Sequence, residues 1–323
     1  MVGAGFMART HLAGWRAIGE EIVGVYGSTH STAAALAGEE AFSLYESFEE
    51  LVADCDIVDV CTPTYSHKEY VTAAAKARKA VFCEKPMALS VADAREMVRV
   101  ADQNHAPLGV GHVLRFFPEY AKAADTARSG QLGDLAVLRF SRTTFAPKKG
   151  WYLDEELSGG VILDLMIHDL DFAQLVAGKV KRVFASVDGD GPGPHAYAIL
   201  THESGALTHV EGSWRMPQPS FHTSFEIAGS QALLTFDSAE SSALVPRITT
   251  TSSDEPAVPV AASPVSEDPY TAEIRSFRDA VRARTTPPVN GAEGLAALTL
   301  ALAARQSAAK GGPVEIDAME AAS

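Results

Sequence analysis

The sequence predicts an α/β protein of two domains, a doubly wound parallel sheet followed by an open, mainly antiparallel one. Three observations carry this. Strand-like apolar runs alternate with helical stretches six times in about the first 110 residues, the rhythm of β-α-β units. Gly3, Gly5 and Ala8 stand at the spacing of a dinucleotide fingerprint. Beyond Gly178 the pattern turns to closely spaced strands. A length of 323 residues suits two cores rather than one, here residues 1–114 and 115–323.

Composition narrows the function. A formal net charge of −14 argues against a nucleic-acid or anionic-membrane partner, because nothing strongly basic would face the phosphates. No apolar run approaches a membrane span, and the N-terminus lacks the basic-then-apolar order of a signal peptide. Cys55, Cys61 and Cys83 lie in or beside apolar segments without C-x-x-C spacing. They read as reduced thiols, so a cytoplasmic protein is expected.

In the fingerprint, Gly3 makes the tight turn and Gly5 lets backbone amides approach a pyrophosphate. The small Ala8 lets the helix pack on the sheet, and the amides near Phe6 and Met7 meet the phosphates. Only Met1 and Val2 precede Gly3, too few for a strand of five or six residues at about 3.3 Å each. The first strand is therefore expected to be truncated. A start upstream of Met1 is the favoured explanation, ahead of a tolerated stump or a chance match. A chain extended upstream by about five apolar residues is expected to be more thermostable.

A helix continues through Leu12–Ile18, and Glu21–Tyr26 forms the second strand. An acid that binds ribose hydroxyls usually ends that strand. Here Gly27-Ser28-Thr29-His30 has none. Ser28 and Thr29 are suited to a 2′-phosphate, which favours NADP(H) slightly over NAD(H). A helix over Ser31–Glu40, a short strand over Phe42–Tyr45 and a helix over Ser47–Ala53 come next. Strand Asp56–Cys61 ends in Thr62-Pro63-Thr64-Tyr65-Ser66-His67, ahead of helix Lys68–Ala77. A lone histidine such as His67 is more often a helix-end residue than a catalyst. Strand Ala80–Cys83 runs into Glu84-Lys85-Pro86, before helix Val91–Asn104 and strand Pro107–His112. Ligands in such sheets bind outside the carboxyl ends of the strands, so these loops border the crevice. Pro86 confines Lys85 to extended conformations there.

After Arg115-Phe116-Phe117-Pro118 the pattern changes. Helix Glu119–Ser129 and strand Leu135–Thr144 lead through Lys148–Tyr152 to Ser158-Gly159-Gly160 and a helix that ends near Gly178. Asp164, His168 and Asp171 fall at i, i+4 and i+7, one face of that helix. A polar stripe on an apolar helix needs a partner. It reads as a catalytic face, a buried polar network or a metal site. For the last, no cysteine or second histidine completes a ligand set, so no metal is expected. Strands Val180–Ser186, Ala196–His202, Leu207–Trp214, Phe221–Ala228 and Ala232–Phe236 join Leu135–Thr144 in one open sheet, with a turn over Asp188–Pro194. Val245–Asp268 reads as an irregular edge. Helices Tyr270–Ala283 and Ala292–Ala309 and a last strand, Pro313–Ile316, complete the chain.

Together these motifs resemble the Gfo/Idh/MocA family of glucose-fructose oxidoreductases and inositol dehydrogenases over nearly the whole chain. The signals are Gly3-x-Gly5-x-Met7 with His11; Thr62-Pro63 with His67; Glu84-Lys85-Pro86; Arg115-Phe116; Gly159-Gly160 with Asp164, His168 and Asp171; and Phe225–Gly229. The short first strand and the missing acid depart from the family pattern. The resemblance implies a Rossmann domain followed by an α/β domain whose sheet face makes a homodimer or homotetramer. It implies an NAD(P)-dependent oxidoreductase acting on a sugar, cyclitol or related polyol. Lys85 would bond the reacting oxygen and orient the nicotinamide, with Glu84 against the cofactor and a cis peptide bond before Pro86. His168 would be the acid/base, and Asp164 would orient it or bind substrate. Thr62, Pro63 and His67 fall to the cofactor, Arg115, Trp151 and Tyr152 to the substrate. An imidazole, with an ordinary pKa near 6.5, suits the proton transfer, and an ammonium suits the developing alkoxide. The competing class is a dinucleotide-binding regulator of the same fold, which would be expected to lack Lys85 or His168.

Overall fold

The structure is a computed structural model that describes residues 1–27, 29–148, 150–189, 193–240 and 267–322. Ser28, Lys149, the middle of the Asp188–Pro194 turn and nearly all of the expected edge over 245–268 lie outside the described residues. The chain divides into two compact units, Met1–Phe116 with Val265–Leu298, and Phe117–Pro264 with Thr299–Ser323. The first break falls beside the boundary expected after residue 114. The return of Val265–Leu298 to the first unit departs from a simple two-part division. It depends on contacts between residues far apart in sequence.

The first unit opens with α1 (Phe6–Ala17), β1 (Gly24–Val25), α2 (His30–Glu40), β2 (Ser43–Leu44) and α3 (Phe48–Asp54). It continues with β3 (Ile57–Val60), α4 (His67–Lys76), β4 (Ala80–Glu84), α5 (Val91–Gln103) and β5 (Leu108–Gly111). The ladders β1–β2 and β3–β4–β5 are parallel. Val2 joins them, bridging in parallel to Tyr26 on one side and Val60 on the other. The Val2 N–H donates to Asp59 O and the Cys61 N–H to Val2 O, both at 2.8 Å. The Gly3 N–H donates to Tyr26 O at 2.8 Å, and the Tyr26 N–H to Met1 O at 3.0 Å. Val2 thus joins the two ladders into one parallel array. β4, paired with strands on both edges, is buried along its whole length, as the uninterrupted apolar run of a parallel strand covered on both faces requires.

The second unit begins with α6 (Pro118–Arg128), β6 (Leu135–Thr144), α7 (Gly150–Leu153) and α8 (Glu155–Ser158). A π-helical turn (Ile162–Met166) runs into α9 (Ile167–Ala177). Beyond it lie strands β7 (Val180–Asp188), β8 (His195–His202), β9 (Leu207–Ser213), β10 (Phe221–Gly229) and β11 (Leu233–Asp237). The chain then returns to the first unit with α10 (Pro269–Ala283). α11 (Gly291–Lys310), β12 (Val314–Glu315) and α12 (Ile316–Ala322) end it. The expected open sheet is present, in the order β11-β10-β6-β9-β8-β7-β12. Among the described residues only its β6–β9 pairing is parallel.

On the inner face of that sheet, Phe172 of α9 meets Tyr120 of α6 edge-on, with ring centroids 5.1 Å apart, and Phe140 of β6 at 5.8 Å. The outer face exposes Phe184, Tyr197, Ile199 and Leu207, with Phe184 directly opposite Ile199. In the first unit α10 covers the parallel sheet. Phe277 packs against Phe82 at 5.1 Å, and Arg278 pairs with Glu20 beyond the end of α1.

Candidate active site

Parallel pairing puts the predicted cofactor residues along one edge of the first unit. Gly3 and Gly5 follow the Val2 stump, Thr29 follows β1, Thr62 and Pro63 follow β3, and Glu84 and Lys85 end β4. Gly3 has φ +101°, and a Cβ there would lie 2.6 Å from Cys61 O, so no other residue fits without backbone movement. Gly5 at the N-cap leaves the first amides of α1 without a side-chain cap. A Cβ on Gly5 would meet no protein atom within 4 Å. Open space over exposed amides and a positive helix end is what a pyrophosphate needs, so the residues present fit a dinucleotide.

The crevice loops are tied together by His67. Its ring is buried, with Nδ1 3.0 Å from Pro86 O and Nε2 2.8 Å from Thr62 O. Burial holds its pKa below the ordinary value. His67, expected to touch the cofactor, links the Thr62-Pro63 and Lys85-Pro86 loops through its ring. The Lys85–Pro86 peptide is cis. The Lys85 N–H donates to Glu84 Oε2 at 2.9 Å. Arg115, expected at the substrate, gives its guanidinium to Glu293 at 2.8 Å, a partner from the chain's return to this unit.

Beneath the turn lies a buried cluster. His11 of α1 has Nδ1 3.1 Å from both Asp59 oxygens and Nε2 3.0 Å from Glu84 Oε1. The Trp15 indole N–H donates to Asp59 at 2.6 Å. The Cys61 sulfur lies 3.3 Å from His11 Nδ1 and from Asp59 Oδ1. Burial opposes a charged His11 ring, but Cys61 and Asp59 outweigh it and raise the pKa well above the ordinary value. Burial first, then Asp59, pushes the Cys61 thiol up to about 12, so near neutrality the anion beside Nδ1 is Asp59. On α10, Glu273 is 2% exposed, and among the described residues neither of its carboxyl oxygens has a hydrogen-bond partner. Burial and then Glu84 hold its pKa well above the ordinary carboxylate value.

In the second unit the helix bearing the polar stripe is not one regular α-helix. Gly159 and Gly160 take positive φ, and the π-turn that includes Asp164 precedes α9. A π-turn closes over one more residue than an α-turn, so it rotates the facing of every residue beyond it on the helix. Asp164 and His168 stay part-exposed while Asp171 is buried. Trp151 and Tyr152 stack on each other, with centroids 3.9 Å apart at 27°. One face of each ring is thereby used within the pair.

Two family models match the chain, an oxidoreductase family with an NAD-binding Rossmann fold over residues 1–112 and the Gfo/Idh/MocA C-terminal domain over residues 120–235. The chain belongs to the Gfo/Idh/MocA family. The myo-inositol 2-dehydrogenase of Thermotoga maritima is 32% identical over 275 residues, 81% of each chain. The D-apiose dehydrogenase of Paraburkholderia graminis is 30% identical over 339 residues, 99% of this chain and 90% of its own. Among solved structures, GenD2 from gentamicin A biosynthesis, in complex with NAD, superposes with a TM-score of 0.86 at 22% identity, covering 97% of this chain and 94% of its own. Membership explains the fingerprint, the Glu84-Lys85-Pro86 turn and the open sheet as parts of one architecture.

The sequence reading missed three polar partners. Asp169 is fully buried and bonded to Arg142 of β6, Glu293 meets Arg115, and Glu46 stands 3.7 Å from His30. Asp169 carries a faint signal, a third acid inside the stripe segment. The other two pairings join positions whose separation follows no local period.

Proposed function

We propose that the chain transfers a hydride between a nicotinamide dinucleotide and a secondary alcohol or ketone of a sugar, cyclitol or related polyol. The observation that carries this reading is the shared edge of the first unit, where the Gly3–Met7 turn, the Thr62-Pro63 loop and the Glu84-Lys85-Pro86 turn converge. The names of the inositol and apiose relatives support a polyhydroxy substrate. The amides of Phe6 and Met7 would hold the pyrophosphate, Thr29 the adenosine ribose, and Thr62, Pro63 and Glu84 the nicotinamide half. The bound nicotinamide supplies hydride acceptance and return. In our reading Lys85 bonds the reacting oxygen and stabilises alkoxide character, and His168 moves the proton. Asp164 orients His168 or binds a substrate hydroxyl, with Arg115, Trp151 and Tyr152 lending specificity.

The finer preference for NADP(H) rests on the lack of an acid in Gly27–His30. The exposed Glu46 carboxylate beside His30 weighs the other way, since it would repel a 2′-phosphate. Parallel fluorescence titrations with NADPH and NADH decide it, and the tighter ligand names the cofactor. The exposed Phe184, Tyr197, Ile199 and Leu207 support a homodimer or homotetramer through the open sheet. Three free cysteines support a reducing, cytoplasmic setting. Among the described residues no helix is long and apolar enough to cross a membrane.

The test of the chemistry is turnover on a panel of polyols. His168→Ala is expected to lose about 10² to 10⁴ in kcat while still binding cofactor, with Lys85→Ala as severe or worse. Saturable cofactor binding without turnover on any polyol would favour the regulator instead.

A further inference from the structure

The Glu84-Lys85-Pro86 turn does not stand on its own backbone alone. Glu84 uses one carboxyl oxygen for the Lys85 N–H, at 2.9 Å, and the other for His11 Nε2, at 3.0 Å. His11 is in turn fixed through Nδ1 by Asp59, and Asp59 by the Trp15 indole at 2.6 Å. The chain of contacts crosses from α1 through β3 to β4 and ends on the backbone of Lys85. Every side chain before that end is buried: His11 is 0% exposed, Trp15 4%, Asp59 4% and Glu84 6%. Water does not compete for these bonds, so losing one leaves a desolvated group behind.

We propose that His11 is a positioning residue for catalysis, acting through Glu84 to set the orientation of Lys85. This rests on the reading of Lys85 as the group that bonds the reacting oxygen. An imidazole suits the place because its two nitrogens point in opposite directions and reach carboxylates on two neighbouring strands at once. As imidazolium it donates to both. The charged and titratable groups around it are Asp59 of β3 and Cys61 just after it, Cys83 and Glu84 of β4, and Tyr270 and Glu273 of α10. The Met1 amine acts on Asp59 from the strand stump. The carboxylates of Asp59 and Glu84, one at each ring nitrogen, favour keeping its proton.

His11 is expected to alter kcat far more than cofactor affinity, because α1 still presents its amides whatever the ring does. In His11→Gln, a single amide nitrogen cannot span Asp59 and Glu84. We expect kcat to fall about 10- to 100-fold with the cofactor Kd within about threefold, the cost of a misplaced reacting group. Glu84→Gln is the conservative partner. Its amide NH₂ can donate to Nε2 of a neutral His11 while its carbonyl still accepts the Lys85 N–H, so its loss should be smaller. The double variant should be little worse than His11→Gln, because the two act along one path.

The deciding experiment combines this cycle with ¹⁵N NMR of the imidazole in the unaltered full chain. At pH 8 the His11 ring is expected to carry protons on both nitrogens, and in Glu84→Gln to lose the one on Nε2. Additive losses in kcat, or a His11→Gln protein that turns over like the parent, would overturn the proposal. So would a ring neutral at pH 8, which needs no folded variant to observe. Lys85→Ala is the control in the same assay. If it leaves turnover intact, the reading of Lys85 has failed. If it abolishes turnover while His11→Gln does not, only the inference about His11 has failed.

Discussion

In the second unit Arg142 and Asp169 form a closed pair. Nε and Nη2 of the arginine meet the two oxygens of Asp169 at 2.7 and 3.0 Å, and both side chains are buried. In the first unit His11 stands open-ended between Asp59 and Glu84, and the last bond of that set falls on the Lys85 backbone. Both clusters bury charge, and both are bonded within hydrogen-bond distance. They differ in what they hold. The arginine set joins α9 to β6, with Tyr120 of α6 as a further partner of Arg142. The histidine set passes from helix to strand to the turn where we place the chemistry. Burial of charge therefore marks function only when the bonds lead to a site.

The largest effect that sharpens this contrast concerns the closed pair. Asp169→Ala leaves Arg142 buried without its counter-ion and should cost about 3–5 kcal/mol of stability. Denaturant melts measure it. The double change Arg142→Met with Asp169→Leu should recover most of that loss, because an apolar pair of similar volume carries no desolvation penalty. The folded double variant should turn over like the parent. A fall in its kcat comparable with that of His11→Gln would erase the distinction between the clusters.

The smallest expected effect belongs to the open cluster and depends on pH. Glu273 has its folded pKa raised well above 4.5. The folded state then binds more protons than the unfolded chain, so stability falls as pH rises from about 4.5 toward the folded pKa. His11, also raised, acts in the same direction. Its contribution is complete below about 6.5 and is lost as pH climbs through its folded pKa. Glu273→Gln removes the ionising group and keeps its shape. It should gain stability over the parent at pH 8 and little at pH 4.5. Melts at the two pH values check this, and equal gains at both would show that proton linkage is not the cause.

Local periodicity in the sequence settled where most elements lie. The apolar run before Glu84 is β4, and the strand expected over Leu135–Thr144 matches β6 residue for residue. These features depend on neighbours a few residues apart, so a linear reading reaches them. The motif residues were legible for the same reason, since the glycine turn and the strand ends are local. The tertiary structure alone decided that Val2 completes the parallel array, that α10 belongs with the first unit, and that Asp171 is buried while Asp164 and His168 stay part-exposed. It also decided that His11, spaced as part of the glycine motif, reaches across to Asp59 and Glu84, 48 and 73 positions away. Such pairings depend on which strands lie side by side, and strand order is set by burial of the whole sheet rather than by any residue's own neighbours.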